Sequence, residues 1–313
     1  MRLLAIATSC ETVYLSTVSH MSNDYRSATR SYPPMYTPPG QINHAILAVR
    51  DLGRAVAFFE RLGFDVNDLG VDEGEWGTCG YMIHLGSQVL ELRAVMRKDG
   101  HLGHLDRYLS AFGEGLYGVG LGCAGTSVED CFSRRADLFE DSTIWTRKTD
   151  FGMVIERPVA ALVERMSPGF YTQFSIDFPN DGEAWHDNGA LSITGLTAIA
   201  ERPEALAEDW SRALGEECIR EGKGMLEVQL GTVRLSFLTR TRFARRFPAM
   251  RLPNGRPGLK VLTLASEDLT LTEAWFAEQG LDTITVPGLR VLVRPEDALG
   301  TVLEFTPSLP DDE

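Results

Sequence analysis

Two residues in the first third of the chain have the types and spacing of a ligand pair. His44 lies in the apolar run INHAILAV, and Glu91 lies in VLELRAV. Alternate side chains of a strand share a face. Ala45, Leu47 and Val49 form one apolar row, which leaves His44 on the other row with Ile42 and Ile46. Leu90 and Leu92 form a second apolar row, so Glu91 faces the opposite way with Val89 and Arg93. An imidazole and a carboxylate converging on one concave surface suit a divalent metal such as Zn, Fe, Mn or Ni. His84, in YMIHLG, falls on the side of Met82 and is a candidate acid or base. Two plainer readings stand beside these: a histidine satisfied within a strand, and a Glu91 carboxylate paired with Arg93 or another arginine.

Other chemistries find no support in the sequence. There is no GxSxG nucleophile elbow, no phosphate-cradling GxxxxGK[ST], and no GxGxxG opening a helix, so no nucleotide cofactor is expected. His101 and His104, in KDGHLGHLDRYL, are three apart at a helix start and read as exposed. A net charge of −14 argues against nucleic-acid and anionic-membrane partners. The one basic cluster, RTRFARRF, has its arginines at helical spacing and reads as a solvated face. No window approaches 18 apolar residues, which argues against a membrane-spanning helix. The five cysteines, Cys10, Cys79, Cys123, Cys131 and Cys218, form no CxxC pair. They point to a reducing compartment and a cytoplasmic chain.

The elements that must position these residues come from an internal repeat. Four segments share a plan of apolar strand, amphipathic helix and a series of short strands. They begin INHAILAVRD, GLYGVGLGCAG, ALSITGLTAIA and GLKVLTLASED. Helix periodicity is clear in Ala55, Phe58, Phe59 and Leu62, and Asp51 and Ser127 are plausible N-caps. The fold class is therefore α+β, four βαβββ modules arranged as two paired cup-shaped sheets with helices outside. The expected divisions are a flexible leader over residues 1–40, a first pair over 41–180, a second over 190–307, and an acidic tail over 308–313. The pairs divide in the loop PNDGEAWHDNG, and Met21 or Met35 are alternative starts.

This plan resembles the vicinal oxygen chelate superfamily, which includes glyoxalase I, bleomycin-resistance proteins and extradiol dioxygenases. INHAILAVRDLGRAVAFFERLGF and WGTCGYMIHLGSQVLELRAV are similar to its glyoxalase-like branch, and VRPEDALGTVLEF resembles its last-strand phrase. The resemblance implies that the first strand of a module supplies a His or Gln ligand and the last strand a Glu. His44 and Glu91 match those positions. A metal there would hold two neighbouring substrate oxygens and stabilise an enolate or similar anion as a Lewis acid. The paired module departs from the pattern: Gly118 stands near the place of His44, and Thr172 or Gln173 stands near that of Glu91. Gln173 is thus the third expected metal ligand, with His84 or His186 as further candidates for completing the shell. The second pair has Thr194, Gly195 or Leu196, and then Ser236, at these positions. The last module has Lys260 or Val261, then Glu304, which reads as a relic or a surface group.

Two functions follow as expectations. The first is a divalent-metal-assisted isomerase, lyase or dioxygenase acting on a small oxygenated molecule. The second is a metal-free small-molecule-binding or sequestration protein of the bleomycin-resistance type. Its cup would be lined by Trp76, Tyr81, Met82, Tyr117 and Phe170. The partner is a small molecule in either case, and the chain is a monomer or a homodimer.

Overall fold

Strand β1 (Gln41–Ala48) leads directly into helix α1 (Leu52–Arg61). The helix starts where the Asp51 carboxylate accepts a hydrogen bond from the Arg54 N–H at 3.0 Å. That bond satisfies one of the donors every helix start leaves open. Ala55 and Phe59 face the core, and the helix stops at Gly63, whose φ of 88° favours glycine. Three strands complete this first module: β2 (Asn67–Val71), β3 (Thr78–Leu85) and β4 (Gln88–Val95).

The plan then recurs. Helix α2 (Leu105–Phe112) precedes a second module of β5 (Gly115–Cys123), β6 (Phe139–Lys148), β7 (Val154–Leu162) and β8 (Tyr171–Ile176). The third comprises β9 (Ala190–Ile199), α3 (Ala207–Leu214), β10 (Ile219–Gly222), β11 (Met225–Leu230) and β12 (Val233–Leu238). Helix α4 (Arg240–Arg246) links it to the fourth, which is β13 (Gly258–Ser266), α5 (Leu269–Glu278), β14 (Thr283–Val286), β15 (Arg290–Val293) and β16 (Val302–Pro307). The computed structural model describes residues 41–71, 77–98, 104–123, 136–148, 154–176, 184–252 and 256–308. Ser127, Trp76, His101 and the helix expected in the second module lie outside those residues.

The strands form two eight-stranded sheets of identical plan, β2-β3-β4-β1-β5-β8-β7-β6 and β10-β11-β12-β9-β13-β16-β15-β14. In each, the first strands of two modules meet antiparallel at the centre, and each pairs in parallel with the last strand of its own module. The module repeat and the two paired sheets stand as the sequence implies.

One apolar core serves both sheets. Ala45, Leu47, Leu90 and Leu92 contribute from the first, Leu196, Leu262 and Leu303 from the second, and Phe59, Trp210 and Phe276 from α1, α3 and α5. The opposite, concave faces are covered by the connecting helices. Leu105, Tyr108 and Leu109 of α2 pack on Ile46, Ala48 and Tyr117 in the first cup. Phe243 of α4, with Phe247 beyond its end, packs on Val261, Leu292 and Val302 in the second. The RTRFARRF segment is therefore not simply a solvated face, because its two phenylalanines are buried.

The loop at Trp185–Gly189 ties the halves together. Asn188 donates its amide N–H to the Leu62 carbonyl at 2.9 Å and accepts from the Ala190 N–H at 2.9 Å. Across the same junction a Cβ on Gly63 would lie 2.6 Å from Trp275 Nε1, so glycine there permits the close approach.

Candidate functional site

Ladder register decides which residues occupy equivalent places in the four modules. His44 opposes Val89 and Ile46 opposes Glu91, while Gly118 opposes Tyr171 and Gly120 opposes Gln173. The central strands cross with His44 against Gly120 and Ile46 against Gly118. The pseudo-two-fold that exchanges β1 and β5 therefore carries His44 onto Gly118 and Glu91 onto Gln173. In the second sheet the same reasoning places Gly195 and Ser236 in the third module. It places Val261 and Glu304 in the fourth, with Lys260 the extra residue of a bulge between Leu259 and Val261. The first module alone carries both an imidazole and a carboxylate.

His44 faces the first cup, and a bulge sets its orientation. The register of β1 on β5 slips between Ile42 and His44, so Asn43 is the extra residue. Ile42 consequently joins the main core instead of the cup row that simple alternation implies. Asn43 Oδ1 accepts from His44 Nδ1. His44 Nε2 then accepts from the Gln173 amide at 3.0 Å, which leaves a neutral ring. The imidazole lies directly over Gly120, where a Cβ would come 1.9 Å from His44 Cε1. Glycine at that position is what admits the ring.

Glu91 and Arg93, two apart on β4, share the cup face. Arg93 Nε and Nη2 donate to the two Glu91 oxygens at 2.8 and 2.7 Å, and both side chains are 9% exposed. Burial alone would lower the Arg93 pKa, but the Glu91 charge and hydrogen bonds outweigh it and raise the value. The pair is a fork-to-fork contact between two opposite charges and is neutral as a unit. Beside it, Tyr117 and Tyr171 stack with centroids 5.6 Å apart and planes at 6°. Tyr117 occupies the second bulge of β5, between Ile46 and Leu47 of the partner strand. Its hydroxyl is buried with no hydrogen-bond partner, and burial holds its pKa well above the usual phenol value. Burial likewise pushes Tyr171 up to about 12.

The remaining expected residues fall in several places. His84 shares the row of His44, but β4 lies between them, so about 10 Å separates their backbones. Met82 opposes Glu91 across β3 and β4. Tyr81 and Phe170 do not line this cup. Tyr81 packs against the main core, and Phe170 lies 6.0 Å from Phe237 within it. Thr172 is turned away from the cup to bond Ser167 at 2.7 Å. His186 is buried at the junction, where its Nδ1 accepts from the Asp65 N–H at 3.1 Å and its Nε2 donates to the His84 carbonyl at 2.7 Å. Desolvation lowers its pKa despite the bond to His84. Glu304, expected as a relic or surface group, is 2% exposed. It accepts from Thr263 at 2.9 Å and from Arg290 at 3.1 Å, with Arg246 3.7 Å away. Both modules that keep a carboxylate at this register thus hold an arginine against it.

Three observations bear on a divalent metal. Both Glu91 oxygens are taken by Arg93, and His44 Nε2 is turned to an amide. Among the described residues no three His, Cys, Asp or Glu side chains come together as a metal group. The donor set as arranged does not fit a resident metal. Arg93 was legible only as an alternative partner for Glu91; the two bulges and Tyr171 carried no signal in the sequence.

Residues 42–127 match the family described as a glyoxalase-like domain. No curated protein sequence matches the chain. Among solved structures, a mutant of 4-hydroxymandelate synthase from Streptomyces coelicolor has a TM-score of 0.55 at 13% identity, covering 86% of this chain and 92% of that one. A xylose isomerase-like TIM barrel/4-hydroxyphenylpyruvate dioxygenase fusion protein scores 0.54 at 14% identity, over 94% of this chain and 52% of its own. A hypothetical protein from Staphylococcus aureus scores 0.55 at 9% identity, over 85% and 99%. At these identities the likeness is one of fold.

Proposed function

We propose, for a chain that carries a glyoxalase-like domain over residues 42–127 on the fold of the vicinal oxygen chelate superfamily, that the first cup binds a small oxygenated molecule without a metal. The two-pronged Glu91–Arg93 contact carries this reading. In it a guanidinium occupies the side of the carboxylate to which a cation would bind. The protein binds or sequesters its ligand in the cytoplasm, in keeping with cysteines Cys79 and Cys218 that form no disulfide. His44, Glu91, Arg93, Gln173, Tyr117 and Met82 form the site.

The metal-assisted alternative draws on one observation, the 3.0 Å approach of His44 to Gln173. It requires Glu91 to leave Arg93, and a buried arginine stripped of its partner costs several kcal/mol, on the order of 3–5.

Metal analysis separates the two. Full-length chain purified without chelator or His-tag should hold far less than one equivalent of any transition metal. Small-molecule binding, followed by thermal shift, should survive chelator. Metal near one equivalent, lost in both His44→Ala and Glu91→Gln, would establish the alternative and sink the proposal.

A further inference from the structure

Among the described residues, two hydrogen-bond donors of the first cup have no hydrogen-bond partner. Arg93 spends Nε and Nη2 on Glu91, and its remaining nitrogen, Nη1, has no partner among the described residues. The Tyr117 hydroxyl is the second, buried in a residue 2% exposed and unpartnered. Arg93 on β4 and Tyr117 on β5 flank β1 near Ala48 and Ile46, and the Arg93 charge acts on the Tyr117 phenol and on Tyr171 beside it. A buried hydroxyl without a partner is costly and rare in a native structure. Here a bulge turns it toward the cup, and bulges recur where a side chain is re-aimed for function.

The charges decide what these donors can receive. Arg93 is already neutralised by Glu91, and His44 is an uncharged ring. A carboxylate ligand would bring a second, unbalanced negative charge beside Glu91 in a site of low polarity, which is unfavourable. An uncharged carbonyl oxygen takes both donors without that cost. The flat walls of the stacked tyrosines favour a planar molecule.

We propose that the first cup takes an uncharged, planar carbonyl compound, with its oxygen held between Arg93 Nη1 and the Tyr117 hydroxyl. This rests on the metal-free reading of the same cup. Helix α2, whose Tyr108 meets the edge of Tyr117 at 5.3 Å, covers that place and would shift to admit the ligand.

The test is calorimetric titration of the full chain with 4-hydroxyacetophenone and with 4-hydroxybenzoate, each with and without chelator. The ketone should bind at least tenfold more tightly than the carboxylate, with chelator making no difference. Tyr117→Phe should weaken the ketone on the order of tenfold, the effect of one lost hydrogen bond. The same variant should melt no lower than the parent, because it removes an unsatisfied buried hydroxyl. Arg93→Lys, which keeps the charge but loses the second edge of the fork, should weaken the ketone as well. Equal or tighter binding of the benzoate overturns the proposal while leaving the metal-free reading intact. So does a Tyr117→Phe variant of parental affinity, and so does the failure of both probes to bind. Ketone binding abolished by chelator overturns the metal-free reading itself.

Discussion

At the scale of single residues the first cup depends on one missing methyl group. A Cβ on Gly120 would lie 1.9 Å from His44 Cε1 and 2.6 Å from His44 Nε2. Gly120→Ala must therefore expel the imidazole or displace β5. Overpacking of this kind costs about 1–3 kcal/mol, so its unfolding free energy from denaturant titration should fall by that amount and ligand binding should be lost with it. An unaltered unfolding free energy and affinity would show that the ring does not lie over Gly120. His186 gives a second prediction. Its pKa is lowered in the folded chain, so the unfolded chain binds more protons as pH falls. The stability it contributes is intact above its unfolded value, about 6.5, and is lost as pH drops from there toward the lowered folded value. Protonation would also turn Nδ1 into a donor facing the Asp65 N–H. His186→Asn or His186→Gln should flatten that part of the pH–stability curve measured by denaturation.

At the scale of elements, helix starts and bulges determine where side chains point. Asp51 caps α1 from the sequence position that periodicity assigns it. Asp51→Ala should cost about 1 kcal/mol in chemical denaturation, with Asp51→Asn or Asp51→Ser restoring most of it. Equal stability of the alanine variant would mean that the cap contributes nothing. Helix α2 begins without a side-chain cap, at His104 with φ of 66°, and its apolar side chains pack in the small cup cluster and not in the main core. Such an element opens at lower free energy than one in the main core. Its amides should exchange with solvent well before those of β1 or β4 in hydrogen-exchange measurements. Protection of α2 equal to that of β1 would argue against its movement.

For the whole molecule, the decisive feature is that both sheets share one core. Trp210 is fully buried, donates its indole N–H to the Met166 carbonyl at 3.0 Å, and lies 6.0 Å from Phe237. Exposed pairs of Arg165 and Arg212 with Asp137 and Asp209 line the same junction. Exposed pairs contribute little, so the apolar surface holds the halves together. Trp210→Ala should cost about 3–5 kcal/mol. Calorimetry should show one transition shifting as a unit. Two separated transitions, only one of them moved, would show that the sheets unfold independently.

The sequence by itself determined the modules, because the apolar strand and the amphipathic helix after it are local patterns that the chain repeats. It also implied the cup-facing rows of His44 and Glu91, since both follow from alternation against an apolar row. It could not determine register. Whether Thr172 or Gln173 answers Glu91, and whether Lys260 or Val261 answers His44, depends on single-residue slips between strands far apart in the chain. A slip of one residue turns a side chain to the other face, and this is why Ile42 went to the core and Tyr117 to the cup. Only the tertiary structure decided that Glu91 is held by Arg93, and Glu304 by Arg290 and Arg246. Those pairings follow from burial: a carboxylate shut away from water must find a cation, and the packed cup supplies a guanidinium.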